Sequence, residues 1–201
     1  NSTLTMRLLA ITLLFVAVFG QVTFSVPDND GDANFDVTYS TDGTYVTFSI
    51  SINKLAWIGF GPSEDGRMEN SDIMVATNNT VTDYYVVPPG FSTGIMIDTV
   101  QDFDNIEFSQ SETESTVTYR RLLDTGDADE DIAILATGEN NMIWAYGDSD
   151  TFEFHGSANR GSFTLDIGNN LVNGEDPPES SATVFLSPFL ALLVALVAFL
   201  Q

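Results

Sequence analysis

Residues 45–52 read Tyr45-Val46-Thr47-Phe48-Ser49-Ile50-Ser51-Ile52, with apolar and polar side chains alternating from Val46 onward. A period of two is typical of a β-strand that buries one face and exposes the other. The preceding Thr41-Asp42-Gly43 is a turn sequence, and Phe35-Asp36-Val37-Thr38-Tyr39 before it also alternates. Two alternating runs joined by an Asp-Gly turn predict a β-hairpin.

Short apolar or alternating runs separated by turns continue along most of the chain. Leu55-Ala56-Trp57-Ile58-Gly59-Phe60 is apolar throughout, which predicts a strand buried on both faces. Further strands are predicted at residues 72–77, 81–87, 95–99, 106–111, 116–122, 132–137, 142–146, 151–155 and 162–167. No window carries a sustained helical period. We therefore predict an all-β fold, a sandwich or a barrel, in one domain over residues 21–172.

The N-terminal residues have the layout of a secretory signal peptide. Arg7 is followed by an apolar run that ends near Ala17 and Gly20, which predicts cleavage after Gly20. The alternative is an N-terminal core helix or membrane anchor. Residues 1–20 are accordingly assigned to the signal segment, and the domain that follows is expected to be secreted.

The C-terminal residues predict a membrane attachment. An acidic stalk containing proline and serine, residues 173–182, precedes an apolar segment at residues 183–201. Small residues, a polar spacer and an apolar end are typical of a GPI-anchor signal, with attachment at Asn173, Gly174 or Ser180. An ordinary transmembrane helix is the alternative. Either reading predicts a domain on the extracellular face of the plasma membrane.

The composition excludes several classes of function. With 29 acidic and 6 basic residues, the chain would repel nucleic acid. The absence of cysteine excludes thiol catalysis and thiolate metal sites. Asn78-Asn79-Thr80 is an acceptor sequence for N-glycosylation at Asn78. The acidic run at 124–131 lacks the EF-hand order of ligands and is interpreted as a solvated turn, with calcium binding as the alternative.

Two single residues suggest a metal ligand pair. His155 is the only histidine and is followed by a loop between Gly156 and Gly161. Met68 stands in a loop of polar residues, where a methionine has little core to fill. Histidine and methionine form one of the standard axial pairs of haem iron. The pair becomes meaningful only where both loops meet at one end of the fold.

An ordered series of motifs resembles the DOMON domain, a β-sandwich family that takes its name from dopamine β-monooxygenase. The matching segments are Trp57-Ile58-Gly59-Phe60-Gly61, Gly66-Arg67-Met68-Glu69-Asn70-Ser71-Asp72-Ile73-Met74-Val75, Asp83-Tyr84-Tyr85, Tyr119-Arg120-Arg121-Leu122-Leu123-Asp124-Thr125-Gly126-Asp127, Ile143-Trp144-Ala145-Tyr146-Gly147, His155-Gly156 and Arg160-Gly161-Ser162. The resemblance implies an Ig-like antiparallel sandwich with a ligand pocket at one end. In members that bind haem b, the iron ligands fall on the positions of Met68 and His155.

Three functions follow from these observations. The leading hypothesis is a haem b module for electron transfer or redox sensing, with a separate redox partner. Met68 and His155 would bind iron, and Trp57, Phe60, Met74 and Phe154 would pack nearby. The alternative is an adhesion module without haem that binds carbohydrate or protein through Tyr84, Tyr85, Trp144 or Tyr146. A stand-alone enzyme is disfavoured because the residues contain no recognisable nucleophile and base.

Overall fold

Alternating strands form two antiparallel sheets in a computed structural model that describes residues 21–27, 33–88 and 94–174. The strands are β1 (Val22–Pro27), β2 (Asn34–Thr41), β3 (Tyr45–Ile52), β4 (Ile58–Pro62), β5 (Ser71–Thr77), β6 (Thr80–Val86), β7 (Ile95–Ile97), β8 (Asp104–Gln110), β9 (Ser115–Leu122), β10 (Asn140–Tyr146), β11 (Arg160–Asp166) and β12 (Leu171–Val172). The predicted all-β sandwich is confirmed.

The first sheet has five strands in the order β1-β2-β3-β9-β8, and the second has seven in the order β12-β11-β10-β4-β5-β6-β7. The predicted hairpin pairs β2 with β3, with Val37 opposite Ile50. Alternate residues of β2, β3, β9 and β10 are buried, as the sequence pattern requires.

The core fills the space between the two sheets. Phe48 lies 5.1 Å from Phe60 and 5.7 Å from Tyr119 between ring centroids, so aromatic rings connect β3, β4 and β9. Every residue of β4 is buried. The prediction that this segment is covered on both faces is therefore confirmed, and the covering of its outer face forms the site described below.

Two predicted strands are wrong. Residues 132–137 are irregular because the Asn140 side chain, not a neighbouring strand, bonds the backbone N–H and C=O of Leu135. Residues 151–155 also pair with no strand: Phe152 packs on Trp57, while Phe154 is 73% exposed. The strand β1 was not predicted, although Val22-Thr23-Phe24-Ser25-Val26 alternates as β3 does.

The two apolar terminal segments lie outside the described residues. The predicted signal peptide, the apolar segment at residues 183–201 and Ser180 all belong to this part of the chain. Within the described ranges, no helix is long and apolar enough to cross a membrane.

Candidate functional site

A second, smaller apolar cluster covers the outer face of the seven-stranded sheet. It follows from the alternation of the strands: on β5, Met74 and Ala76 face the core between the sheets, while Ile73 and Val75 face outward. On β10, Ile143 and Ala145 face outward in the same way. Trp57, Val86, Met68, Tyr84, Ile95 and Phe152 complete this outer cluster.

The outer cluster lines a cavity of about 750 Å³. This volume is within the range of roughly 300–1,000 Å³ that is usual for small-molecule and cofactor sites. Met68 and His155 both line the cavity, although they are far apart in the sequence. Its walls are Trp57, Ile73, Ile95, Ile143, Trp144, Ala145, Phe152 and Phe154, and the small residues Gly59, Gly66 and Gly161 also border it.

Met68 is presented by a short closed loop between β4 and β5. A β-bridge joins Ser63 to Ser71 across the base of the loop. Inside it, the Ser63 hydroxyl donates to the carbonyl of Arg67 at 2.6 Å, and the Ser71 hydroxyl donates to the carbonyl of Met68 at 2.6 Å. These bonds hold the backbone on both sides of the Met68 thioether, whose side chain packs on the outer cluster.

His155 is 8% exposed and lies beside two aromatic rings, 6.4 Å from Trp57 and 4.9 Å from Phe154 between centroids. Its Nδ1 lies 2.6 Å from the carbonyl oxygen of Gly156. Because a carbonyl only accepts, Nδ1 carries the proton and Nε2 keeps its lone pair. Burial, and then the nearby Arg160, lower the pKa of His155, so the ring is neutral at pH 7. A neutral imidazole fixed through Nδ1 is prepared to bind a metal through Nε2.

The polar rim of the cavity carries charged side chains of both signs. Arg67 and Arg160 both border it. Glu69 and Glu153 border it as well, and Arg67 Nε lies 3.7 Å from the Asp65 carboxylate. The cavity can therefore take a largely apolar ligand, and its edge offers two guanidinium groups that can pair with negative charge on that ligand.

The sequence matches the DOMON domain family over residues 29–147, which is more than half of the chain. The chain belongs to the DOMON family. The matched range includes Met68 and ends before His155.

Two solved structures resemble this DOMON protein. The cytochrome b domain of pyranose dehydrogenase from Coprinopsis cinerea is 15% identical with a TM-score of 0.50, and the match covers 77% of this chain and 91% of that one. The cytochrome domain of Myriococcum thermophilum cellobiose dehydrogenase is 14% identical with a TM-score of 0.42, with coverages of 79% and 93%. At 15% identity, the likeness to the pyranose dehydrogenase domain shows a shared fold.

The cavity of this DOMON domain contains four of the six residues proposed for it. Met68, His155, Trp57 and Phe154 line it. Phe60 and Met74 do not: both are buried in the core between the sheets, on the other face of β4 and β5. Adjacent residues of a strand point to opposite faces, so the outward positions are Gly59 and Ile73. Alternation from the outward-facing Trp57 predicts that Gly59 also faces outward. Ile143 and Ala145 can be placed on this face only once β10 is known to pair with β4.

The aromatic residues considered for sugar stacking are mostly unavailable. Trp144 and Tyr146 are 4% and 1% exposed and pack in the core, although Trp144 also borders the cavity. Tyr84 packs on Phe152 with ring centroids 5.7 Å apart. The partly exposed Tyr85 lies on β6.

The predicted modification sites are exposed where the structure describes them. Asn78 and Asn79 form the tight turn between β5 and β6, with φ of 43° and 63°. Asn173 and Gly174 are also exposed, but Asn173 is bonded to Thr164 of β11 through both its backbone and its side chain.

Proposed function

We propose that this DOMON domain binds haem b and acts as an electron-transfer or redox-sensing module. The observation that carries the proposal is the convergence of the Met68 and His155 loops on one apolar cavity. The pyranose dehydrogenase neighbour is a cytochrome b domain, so in that protein the same fold belongs to a b-type cytochrome. Placement outside the cell, glycosylation at Asn78 and lipid attachment remain predictions from the sequence.

The donor set suits haem iron. His155 offers Nε2, since Nδ1 is held by Gly156, and Met68 offers a thioether on a loop that its own hydrogen bonds close. Met68 and His155 would hold the haem iron, which would supply one-electron chemistry, and two protein ligands would leave no open position for oxygen. The aliphatic and aromatic walls would exclude water from the porphyrin faces.

The rim fits the charged edge of the same cofactor. Haem b carries two propionates, and carboxylates form their strongest protein contacts with guanidinium groups. Arg67 and Arg160 border the cavity, and the Coulombic effect of Arg160 on His155 places its charge near the imidazole. We assign these two arginines to the propionate edge.

The test is the visible spectrum of the purified protein after incubation with haem. We expect a low-spin six-coordinate spectrum in the wild type, and the loss of that spectrum in both Met68→Ala and His155→Ala. Met96→Ala is the matched control, because Met96 is 44% exposed on β7 and does not border the cavity.

A protein that stays colourless after haem addition would refute the proposal and favour the adhesion hypothesis. A spectrum that survives both ligand substitutions would show that haem binds elsewhere. Circular dichroism of each variant separates the loss of a ligand from the loss of the fold.

A further inference from the structure

A group of buried carboxylates lies between the two sheets, away from the outer cavity. Asp72 of β5 and Asp83 of β6 are 1% and 0% exposed, and the side chain of Asp131, in the segment after β9, is 2% exposed. One oxygen from each of the three lies within 4.8 Å of the others. Two oxygens bound to the same Ca²⁺ at about 2.3–2.6 Å lie at most about 5 Å apart, so this spacing suits a shared ion.

Most of these oxygens have no hydrogen-bond partner among the described residues. Asp72 Oδ1 and both oxygens of Asp83 and Asp131 are buried and unpartnered. Asp72 Oδ2 alone is satisfied, by Arg121 Nη1 at 2.7 Å and by the N–H of Ile132 at 3.0 Å. A buried polar atom without a partner is costly, so five such oxygens in one place require an explanation.

Arg121 cannot neutralise the group. Its guanidinium pairs closely with Asp72 and stands 3.9 Å from Asp131 Oδ2, and it also donates to the carbonyls of Leu122 and Ile132. One positive charge therefore faces these three carboxylates, and a fourth carboxyl group, that of Asp102, lies beside Asp131. The group keeps an excess of at least two negative charges when all are ionised. A divalent cation carries the charge needed to neutralise an excess of two negative charges.

We propose that Asp72, Asp83 and Asp131 form a binding site for one calcium ion. Oxygen donors exclude soft metals, and an irregular group of carboxylates suits Ca²⁺, which accepts six to eight oxygens in flexible geometry, better than Mg²⁺. One oxygen from each carboxylate supplies three ligands, the second oxygens of Asp83 and Asp131 could coordinate as well, and water can complete the shell.

The site would join three parts of the fold. Asp72 and Asp83 belong to the seven-stranded sheet, Arg121 belongs to the five-stranded sheet, and Asp131 belongs to the irregular segment between β9 and β10. A bound ion would hold the acidic run at 124–131 against both sheets. Its role is therefore structural, and it does not depend on haem binding.

Protons are the competing occupants. Burial, followed by the charge of Asp72, raises the pKa of Asp83 to about 9, so Asp83 is protonated at pH 7 when no cation is present. A proton satisfies one oxygen of a carboxyl group, whereas an ion satisfies several at once. Added calcium distinguishes the two occupants, because it should give a binding heat and raise Tm only if the site takes an ion.

The experiment treats the purified protein with a chelator, exchanges it into chelator-free buffer and titrates it with CaCl₂ by calorimetry and thermal unfolding. We expect one ion per chain and an upward shift of Tm, with a smaller shift for MgCl₂. No binding heat and no shift of Tm at millimolar calcium would overturn the proposal, and equal shifts with both metals would overturn the assignment to calcium.

Asp83→Asn keeps the shape of the side chain and removes its charge, and it should abolish the calcium-dependent shift of Tm. Asp129→Asn is the matched control, because Asp129 is an exposed member of the nearby acidic run and should leave the shift unchanged. If both variants lose the calcium-dependent shift of Tm equally, the ion binds at the exposed acidic run instead. If Asp83→Asn does not fold, the wild-type titration decides.

Discussion

His155 acquires its meaning from the atoms around it. As a lone histidine near two glycines, it could have been an ordinary surface or core residue. In the structure it lines the cavity, lies beside the rings of Trp57 and Phe154, and carries its proton on Nδ1. The sequence suggested His155 and Met68 from their residue types and loop settings, and then through the family resemblance, but residue spacing alone could not bring two loops together.

A substitution of Met68 by histidine tests its role as a ligand without removing coordination. Haem in Met68→His should remain low-spin and six-coordinate, but its reduction potential should fall, because a methionine axial ligand raises the potential relative to histidine. A spectroelectrochemical titration measures the change. Met96→His, on exposed β7, should leave the potential at the wild-type value. An unchanged potential in Met68→His would mean that Met68 does not bind iron.

At the scale of the strands, the sequence pattern predicted most of the sandwich. The run at residues 45–52 has the bounds of β3, and Leu55–Phe60 overlaps β4, which is buried on both faces. The pattern failed at residues 151–155 because the contact of Phe152 with Trp57 is tertiary and leaves no trace in a local period. It assigned Phe60 and Met74 to the cavity because a strand that is buried on both faces does not reveal which face is which.

Gly147, directly after β10, allows Trp57 to lie flat against the backbone. A Cβ at this position would stand 2.1 Å from Trp57 Nε1, and the Gly147 N–H donates to the Trp57 carbonyl at 3.1 Å. Gly147→Ala should therefore push the indole toward the cavity. Overpacking of this kind costs ~1–3 kcal/mol, and each kcal/mol lowers Tm by about 2–4 °C for a domain of this size.

Thermal unfolding and haem titration measure both effects of Gly147→Ala. Gly59→Ala is the graded control, since its Cβ would meet Trp57 Cζ3 at the less severe distance of 3.1 Å. Gly147→Ala should have the lower Tm of the two, and its haem binding is compared with the wild type because Gly59 itself borders the cavity. If the two variants are equally stable, the close approach of Gly147 to Trp57 does not constrain the site.

In the whole molecule, strand β5 connects the two proposed sites. Ile73 faces outward to line the cavity proposed for haem, and the adjacent Asp72 faces inward to the carboxylate group. The alternation of a single strand would thus assign one face to an apolar cofactor and the other to a cation. The sequence contains all three aspartates, but its densest acidic run, residues 124–131, includes several exposed residues. The buried group takes only Asp131 from that run, and its other two members come from β5 and β6.

The buried carboxylates also predict how the stability of the metal-free protein depends on pH. The pKa of Asp83 rises from 3.8 to about 9, through burial first and then through Asp72, with Asp131 and Asp98 adding to the rise and Arg121 opposing it. Between these values the folded state keeps a proton that the unfolded state has released, so the free energy of unfolding falls as pH increases. This contribution is present below about pH 4 and is lost by about pH 9.

In chelator, we therefore expect Tm to decrease by several degrees from about pH 6 to about pH 9, and Asp83→Asn to flatten the decrease because the amide does not titrate. Saturating calcium should also reduce the slope, since the ion replaces the proton as the neutralising charge. Asp129→Asn should retain the wild-type slope, because Asp129 is exposed. A Tm that stays constant or rises over this range would mean that Asp83 is already ionised in the folded protein.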